Sequence, residues 1–296
     1  MIKNMLSDLV AKETRNTTNI TIVVVRFKEP ISIVKDCIDS LLLQKDVRIK
    51  ILILDQKHDV EFQNTIEDLN TSNMIEYVNI PEISVSFARN YGIKCSKTEI
   101  VCFIDADALA DSNWVNNLSK TFENNKDVAV VGGKILPLWE GQVKWYHKAS
   151  MIQEFYSILH ISDKVVETDK IMGGNSAIKK EAIRKIGGFR EELGRRDGKL
   201  LGGEETELCE RAIKMGYKVL YNPNAMVLHR ISKNRLKIIW VVKRIFYGGF
   251  SRETKGGIPK PYQKKKNFFD VMIFPLFITV YMAGFIFGYF RRRIML

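Results

Sequence analysis

The sequence predicts an α/β protein with a mostly parallel sheet flanked by helices, followed by an amphipathic and then a hydrophobic helix at the C-terminus. Three observations carry that expectation. In the first half, short β-branched runs alternate with segments of helical period, the pattern of a sheet covered on both faces. Hydrophobic residues are 46% of the 296, enough for a sizeable core. Near the C-terminus, residues 271–290 carry no charge.

Taken in order, residues 20–25 (Ile-Thr-Ile-Val-Val-Val) read as a first strand. Pro30 then opens a helix over 31–43, since proline suits the first helical turn. Residues 49–54 form a second strand that ends at Asp55, and 59–69 a second helix. A short strand over 75–78, a helix over 84–95 and a buried strand over 100–104 follow. Beyond them come a helix over 111–123 and a strand over 128–131. The second half is less regular. A long aromatic helix is expected over 143–160, and a turn at 172–178 leads into a helix over 177–186 that stops at Gly187-Gly188. Residues 194–203 read as a loop rich in glycine and cations. The helix over 204–215 ends at Gly216, a favoured C-cap residue, and short strands follow at 219–221 and 226–228.

Charge separates the chain into two parts. Residues 230–296 hold 15 of the 46 Lys and Arg but only 2 of the 34 Asp and Glu, so they carry the whole net charge of +12. Such a tail suits nucleic acid or an anionic membrane. The uncharged run at 271–290 decides for the membrane, because about 20 apolar residues span a bilayer as a helix, and whether this helix crosses or lies in the interface stays open. Lys264–Lys266 and Arg291–Arg293 flank it at headgroup level, and residues 236–250 read as an amphipathic interfacial helix. No nucleic-acid partner is expected. Residues 1–19 are polar and contain no apolar h-region, so the α/β part is expected in the cytoplasm, tethered by its C-terminus to the cell membrane. Four scattered cysteines fit a reducing compartment rather than a disulfide framework or a zinc site.

Asp105 and Asp107 are the most informative residues. They end the buried run at 100–104, and their i, i+2 spacing puts both carboxylates on one face. Two neighbouring acids repel unless a cation lies between them, and ligands of open α/β sheets bind at that end of the strands. The pair also suits a helix cap, and the spacing alone leaves both readings open.

The ordered motifs of the chain extend this picture. They are Asp55 after the second strand, Ser86-Phe-Ala-Arg89-Asn90-Tyr-Gly92 and Phe-Ile-Asp105-Ala-Asp107, then Gly173-Gly-Asn-Ser-Ala-Ile178 and Gly187-Gly-Phe189. Gly203-Glu-Glu-Thr-Glu-Leu208 and Ala225-Met-Val-Leu-His229-Arg230 complete the set. In order and spacing they resemble a family-2 glycosyltransferase with a GT-A (Rossmann-like) fold, of the membrane-associated type. The resemblance covers residues 20–230. It implies an extension at 1–19, a catalytic domain at 20–230, a basic amphipathic and linker segment at 231–267, and a hydrophobic anchor at 268–296.

The resemblance also implies roles. Asp55 would contact the base or ribose of a nucleotide-sugar, with Gln56 standing where the family often has a second acid. Arg89 would meet the diphosphate or steady the carboxylates of the site. Asp107 would ligate Mn²⁺ or Mg²⁺, Asp105 would contact the ribose or the metal, and His229 is a candidate third ligand. Gly173, Gly174 and Asn175 would wall the donor sugar. Glu205 would be the general base, beside Glu204, and it is one methylene longer than the usual Asp. Arg195, Arg196 and Lys199 would form a lid or meet an acceptor phosphate. The implied reaction is metal-dependent and inverting. It moves a sugar from a UDP- or GDP-sugar to a lipid-linked or polysaccharide acceptor. The alternative is an inactive membrane scaffold of the same fold that binds a nucleotide-sugar or glycan.

Overall fold

The computed structural model describes residues 19–70, 73–254 and 267–294. The expected N-terminal extension and the Gly- and Pro-containing linker at 255–266 therefore lie outside the described residues, apart from Asn19.

Among the described residues, nine strands form one sheet. They are β1 (Asn19–Arg26), β2 (Arg48–Asp55), β3 (Ile75–Asn79), β4 (Ile100–Asp105), β5 (Ala108–Ala110), β6 (Val128–Trp139), β7 (Val166–Glu167), β8 (Asn175–Lys179) and β9 (Lys218–Ile231). Their spatial order is β3-β2-β1-β4-β8-β6-β9-β5, with β7 beside β9. Pairing is parallel among β1, β2, β3 and β4 and between β6 and β9, and antiparallel at β4–β8, β6–β8, β5–β9 and β7–β9. The helices are α1 (Ile31–Leu42), α2 (Val60–Leu69), α3 (Val85–Cys95), α4 (Trp114–Glu123), α5 (Ser150–Phe155), α6 (Lys180–Ile186), α7 (Glu204–Lys214), α8 (Ile238–Thr254) and α9 (Phe268–Ile294). Asp59 and Ser84 cap α2 and α3 by accepting from the Phe62 and Phe87 amides, which satisfies donors that the first helical turn leaves open.

Two apolar clusters cover the two faces of the sheet. One gathers Ile20, Ile22, Ile38, Phe62 and Trp114, and the other Val23, Leu54, Phe103, Ile183 and Leu208. A third cluster lies apart from them. Tyr146, Met151, Ile152 and Tyr156 pack there with Ile231, Leu236, Val241, Ile245, Ile273 and Phe277, so both C-terminal helices share a core with α5.

Four expectations need correction. The segment at 143–160 is not one helix. A 3-10 turn (Trp145–Lys148) and α5 are separated by an extended Ala149, and Ser157 (φ 61°) ends the run before Leu159 bridges Ile135. Its aromatics serve a cluster, Tyr156 stacking on Trp240 at 5.2 Å, rather than a helix face. The helix expected from Ala177 starts at Lys180 instead. Ala177 and Ile178 sit mid-sheet, paired to β4 on one side and β6 on the other, and that burial overrides local helical character. The two short strands after α7 are one strand, β9, with an irregularity opposite Gly133/Lys134. Ser251 to Thr254, read as linker, continue α8.

Four strand pairings position the site. Parallel register aligns Arg26 with Asp55 and Val25 with Asp105, so the carboxyl ends of β1, β2 and β4 share one edge. Antiparallel β8 places Asn175 opposite Ile104, which brings Gly173 and Gly174 to that edge. The β5–β9 pair sets Ala108 opposite His229, so β9 delivers an imidazole beside Asp107.

Asn175 locks this junction. It is fully buried, accepts from Trp114 Nε1 at 2.7 Å and donates to the Lys134 and Ala225 carbonyls at 2.9 Å each. Asn175→Ala strands a buried indole donor, and each such orphan costs about 1–3 kcal/mol. The variant should unfold at lower urea than the parent with an unchanged m-value.

Candidate active site

Asp55 ends β2 inside a closed network. It is fully buried and takes Arg26 Nη1 at 3.3 Å, the Tyr77 hydroxyl at 2.9 Å, and the Lys57 and Asp59 amides at 3.2 Å each. Arg26 also donates to Asp59 at 2.9 Å and lies over the Phe62 ring. The acceptor sites of Asp55 are thus engaged by the chain itself. The adjoining cleft, of about 250 Å³, is faced by its neighbours Phe27 and Gln56.

Asp105, Asp107 and His229 come together, their ligand atoms all within 4.8 Å of one another. His229 Nδ1 lies 2.7 Å from the Tyr156 carbonyl, which can only accept, so Nδ1 carries the proton and Nε2 presents its lone pair. Nε2 faces Asp107 Oδ1 at 3.3 Å. Burial opposes the charge on Asp107, and the guanidinium of Arg235, 2.9 Å from Oδ2, favours it. Two carboxylates and one correctly oriented imidazole form a donor set that fits a divalent cation.

Arg235 was not singled out by the sequence. It donates to Asp107 Oδ2 at 2.9 Å and to His229 Nε2 at 3.1 Å. The one signal for it is position, six residues past His229 where β9 has left the sheet. Arg235 faces the cleft with Arg195, Arg196 and Lys199 of the loop before α7, so cations stand opposite Asp105 and Asp107. Arg244 lies behind this wall, pushed down to about 10 by burial and next by the charge of Arg195.

Arg89 links this acid cluster to a second one. Its guanidinium is 5% exposed and lies 2.9 Å from Glu204 Oε1 and 3.8 Å from Asp105 Oδ1. A Cβ on Gly173 would overlap that guanidinium, and one on Gly174 would overlap the Asp105 carboxylate, so both positions require glycine. The Gly173 amide donates to Glu205 Oε1 at 3.3 Å. The Oε2 atoms of Glu204 and Glu205 are buried and take no hydrogen bond from any other described group. The two carboxyls interact with each other instead. Burial, and after it the charge of Glu205, push Glu204 up to about 8. Burial also opposes ionisation of Glu205, but Arg89, Glu204 and the Gly173 amide outweigh it and hold Glu205 low. The pair therefore keeps one proton near neutral pH and offers Glu205 as the carboxylate.

The candidate residues thus fall into three groups. Asp105, Asp107 and His229 converge on one point. Arg89, Glu204, Glu205, Gly173 and Gly174 form the adjoining wall. Asp55 and the Asn175 side chain face inward, one into its own network and one into the core.

Comparison with known proteins fits this architecture. The sequence model of glycosyl transferase family 2 matches residues 21–187, and that of the N-terminal domain of galactosyltransferase matches 154–236. A glucosyl-dolichyl phosphate glucuronosyltransferase of Haloferax volcanii is 26% identical over 226 residues, 74% of this chain and 71% of the relative. The succinoglycan biosynthesis protein ExoM of Rhizobium meliloti is 24% identical over 208 residues, 68% of this chain and 63% of the relative. Among solved structures, a mannosyltransferase of Pyrobaculum calidifontis in complex with GDP-Man and Mn²⁺ aligns with a TM-score of 0.62 and 16% identity, covering 91% of this chain and 74% of that one. GalNAc-T7 with UDP, GalNAc and Mn²⁺ aligns with a TM-score of 0.59 and 14% identity, covering 90% of this chain but 55% of that one. The fold is GT-A. With the family model matched over more than half of its length, the chain belongs to glycosyl transferase family 2 and is a glycosyltransferase.

Proposed function

We propose that this glycosyltransferase moves a sugar from a UDP- or GDP-sugar to a hydroxyl of a lipid-linked saccharide or polysaccharide, in one inverting displacement at a membrane surface. The observation that carries the reading is Arg89, which joins the Asp105 end of a cation site to a Glu204–Glu205 pair holding one proton. A leaving-group site and a proton acceptor are thereby linked through one buried guanidinium.

Glu205, held as a carboxylate by Arg89 and the Gly173 amide, takes the proton of the acceptor hydroxyl. The freed oxygen bonds to the anomeric carbon while the bond from that carbon to the diphosphate oxygen breaks. Attack from the face opposite the leaving group inverts the centre. Negative charge grows on the departing diphosphate, and the cationic wall of Arg195, Arg196, Lys199 and Arg235 meets it. Asp105, Asp107 and His229 would hold Mn²⁺ or Mg²⁺, which supplies further neutralisation of that diphosphate, and the imidazole favours Mn²⁺. Phe27 and Gln56 flank the end of the cleft suited to the nucleotide base, with Asp55 bracing the turn behind them.

The two sequence relatives named above carry dolichyl phosphate and succinoglycan in their names, which supports an acceptor on a lipid or growing glycan. One helix long and apolar enough to cross a membrane supports membrane attachment. Four free cysteines suit a catalytic part facing the cytoplasm.

Detergent-solubilised protein, screened against UDP- and GDP-sugars with Mn²⁺ or Mg²⁺, should turn over one donor. Glu205→Gln should lose roughly 10²–10⁴-fold in turnover, the usual worth of a positioned base. Asp107→Ala should abolish metal-stimulated turnover. A wild type that binds donor without transferring or hydrolysing it would return the inactive scaffold. The carboxyl pair makes a second prediction. Glu204 titrates near 8 in the folded chain against an ordinary 4.5, so its contribution to stability is complete below about 4.5 and is lost as pH rises through 8. Urea unfolding at pH 5, 6.5 and 8 should show a steeper loss in wild type than in Glu204→Gln. Parallel losses would assign the proton elsewhere.

A further inference from the structure

Residues Phe268–Arg291 are long and apolar enough to span a bilayer, yet one side of them is packed against α8. Helix α8 runs beside α9 in the same direction. Val241 and Ile245 share a cluster with Ile273 and Phe277. Further along, a Cβ on Gly249 would overlap the Tyr281 carbonyl and one on Gly284 the Phe246 carbonyl, and Glu253 lies 3.3 Å from the Cβ position of Gly288. Helix α8 thus follows α9 from Ile273 to Gly288, the middle of the apolar segment.

Helix α8 is in turn bonded to the catalytic domain. Arg244 Nη1 donates to the Leu200 carbonyl at 2.9 Å, and the Gly202 amide donates to Ser251 Oγ at 3.0 Å. The start of α9 is fixed as well, since Asp270 accepts from the Met151 amide at 3.1 Å. A bilayer wrapped around the middle of α9 would have to enclose Arg244, Arg252, Glu253 and the 200–202 loop. Charged side chains and loop backbone are costly there.

The opposite side of α9 is not covered by any of the described residues. Phe268, Val271, Leu276, Ile278, Phe287 and Phe290 are exposed, and at ~100° per residue the exposed apolar face spreads over about half of the helix circumference. Asp270, Ile273, Phe277, Gly284 and Gly288 are buried on the far side. Lys237 just before α8, Lys243 on α8, and Arg291 and Arg293 at the end of α9 are exposed. The two acids of residues 230–296, Glu253 and Asp270, are both buried. Exposed charge on this surface is therefore positive among the described residues. That charge suits anionic headgroups and opposes pairing with a second copy of the same surface.

We propose that α9 does not cross the bilayer but lies along it, sunk by its exposed apolar face into one anionic leaflet, with the whole chain on one side. This rests on the membrane reading above and adds its geometry. Loop 194–203, which faces the catalytic cleft through Arg195, Lys199 and Leu200, is then held by α8 next to the lipid surface. An acceptor would reach the cleft from that leaflet without leaving it.

Single-cysteine labelling of the full chain in sealed membrane vesicles decides the matter. Cys95 is exposed on the catalytic domain and Cys37, Cys102 and Cys209 are buried, so the wild type reports the catalytic side. Cys95→Ser combined with Arg293→Cys reports the far end of α9. With a membrane-impermeant maleimide, added before or after detergent, both sites should label to the same extent in each condition. Protection of one site until detergent is added, while the other labels freely, would show that α9 crosses and overturn the proposal. Protein that washes off the vesicles in salt and elutes as a dimer would overturn it too, giving that face to a second copy. The readout involves no sugar transfer, so failure here and failure of the transferase reading are distinguishable.

Discussion

The buried guanidinium of Arg89 is the constraint from which the site follows. A charge taken out of water must be paired, and here the partners are Asp105 from β4 and the Glu204–Glu205 pair of α7, which carries one negative charge between its two carboxyls. Burial opposes its charge, but Glu204 first and then Glu205 and Asp105 outweigh that and raise its affinity for the proton. The pairing forces three distant segments, near residues 89, 105 and 204, onto one point. It also explains the glycines, since Gly173 and Gly174 leave no side chain between Arg89 and the acids. Arg89 meets two carboxyls of α7, so those carboxyls divide one proton and take unequal roles.

The acid end of β4 was legible because it depends on local spacing. Asp105 ends the apolar strand as expected, whereas Asp107 lies beyond it in the turn to β5, so that turn and not strand alternation brings the two carboxylates together. The first four strands and their helices were legible for the same reason, because propensity, period and capping agree at Asp59 and Ser84. His229 entered through motif order, and the β5–β9 register accounts for why it lies beside Asp107. What was not legible depends on partners far along the chain. Ala177 and Ile178 look helical until β4 and β6 hold them. Arg235 has no motif, and its role comes from where the chain travels after β9. The closed network on Asp55 depends on Arg26 and Tyr77, which local patterning cannot place.

The C-terminal helices show the same limit of local reading. Composition reports that α9 is long and apolar, and it cannot report that α8 lies along it and is tied to loop 200–202. Tight contacts at Gly249 and Gly284 and shared packing with Tyr156 and Met151 make the tail part of the same structural unit as α5. Loop 194–203 is thus a common boundary of the cleft and the tail.

Titration of Mn²⁺ into the detergent-solubilised protein, with and without UDP or GDP, tests the central claim most directly. Wild type should bind Mn²⁺, and the nucleoside diphosphate should tighten that binding. Asp107→Ala should lose both effects while retaining its fold. Nucleoside diphosphate that binds equally well in chelator, or Mn²⁺ that binds Asp107→Ala as it binds wild type, would contradict an account built on Asp105, Asp107 and His229.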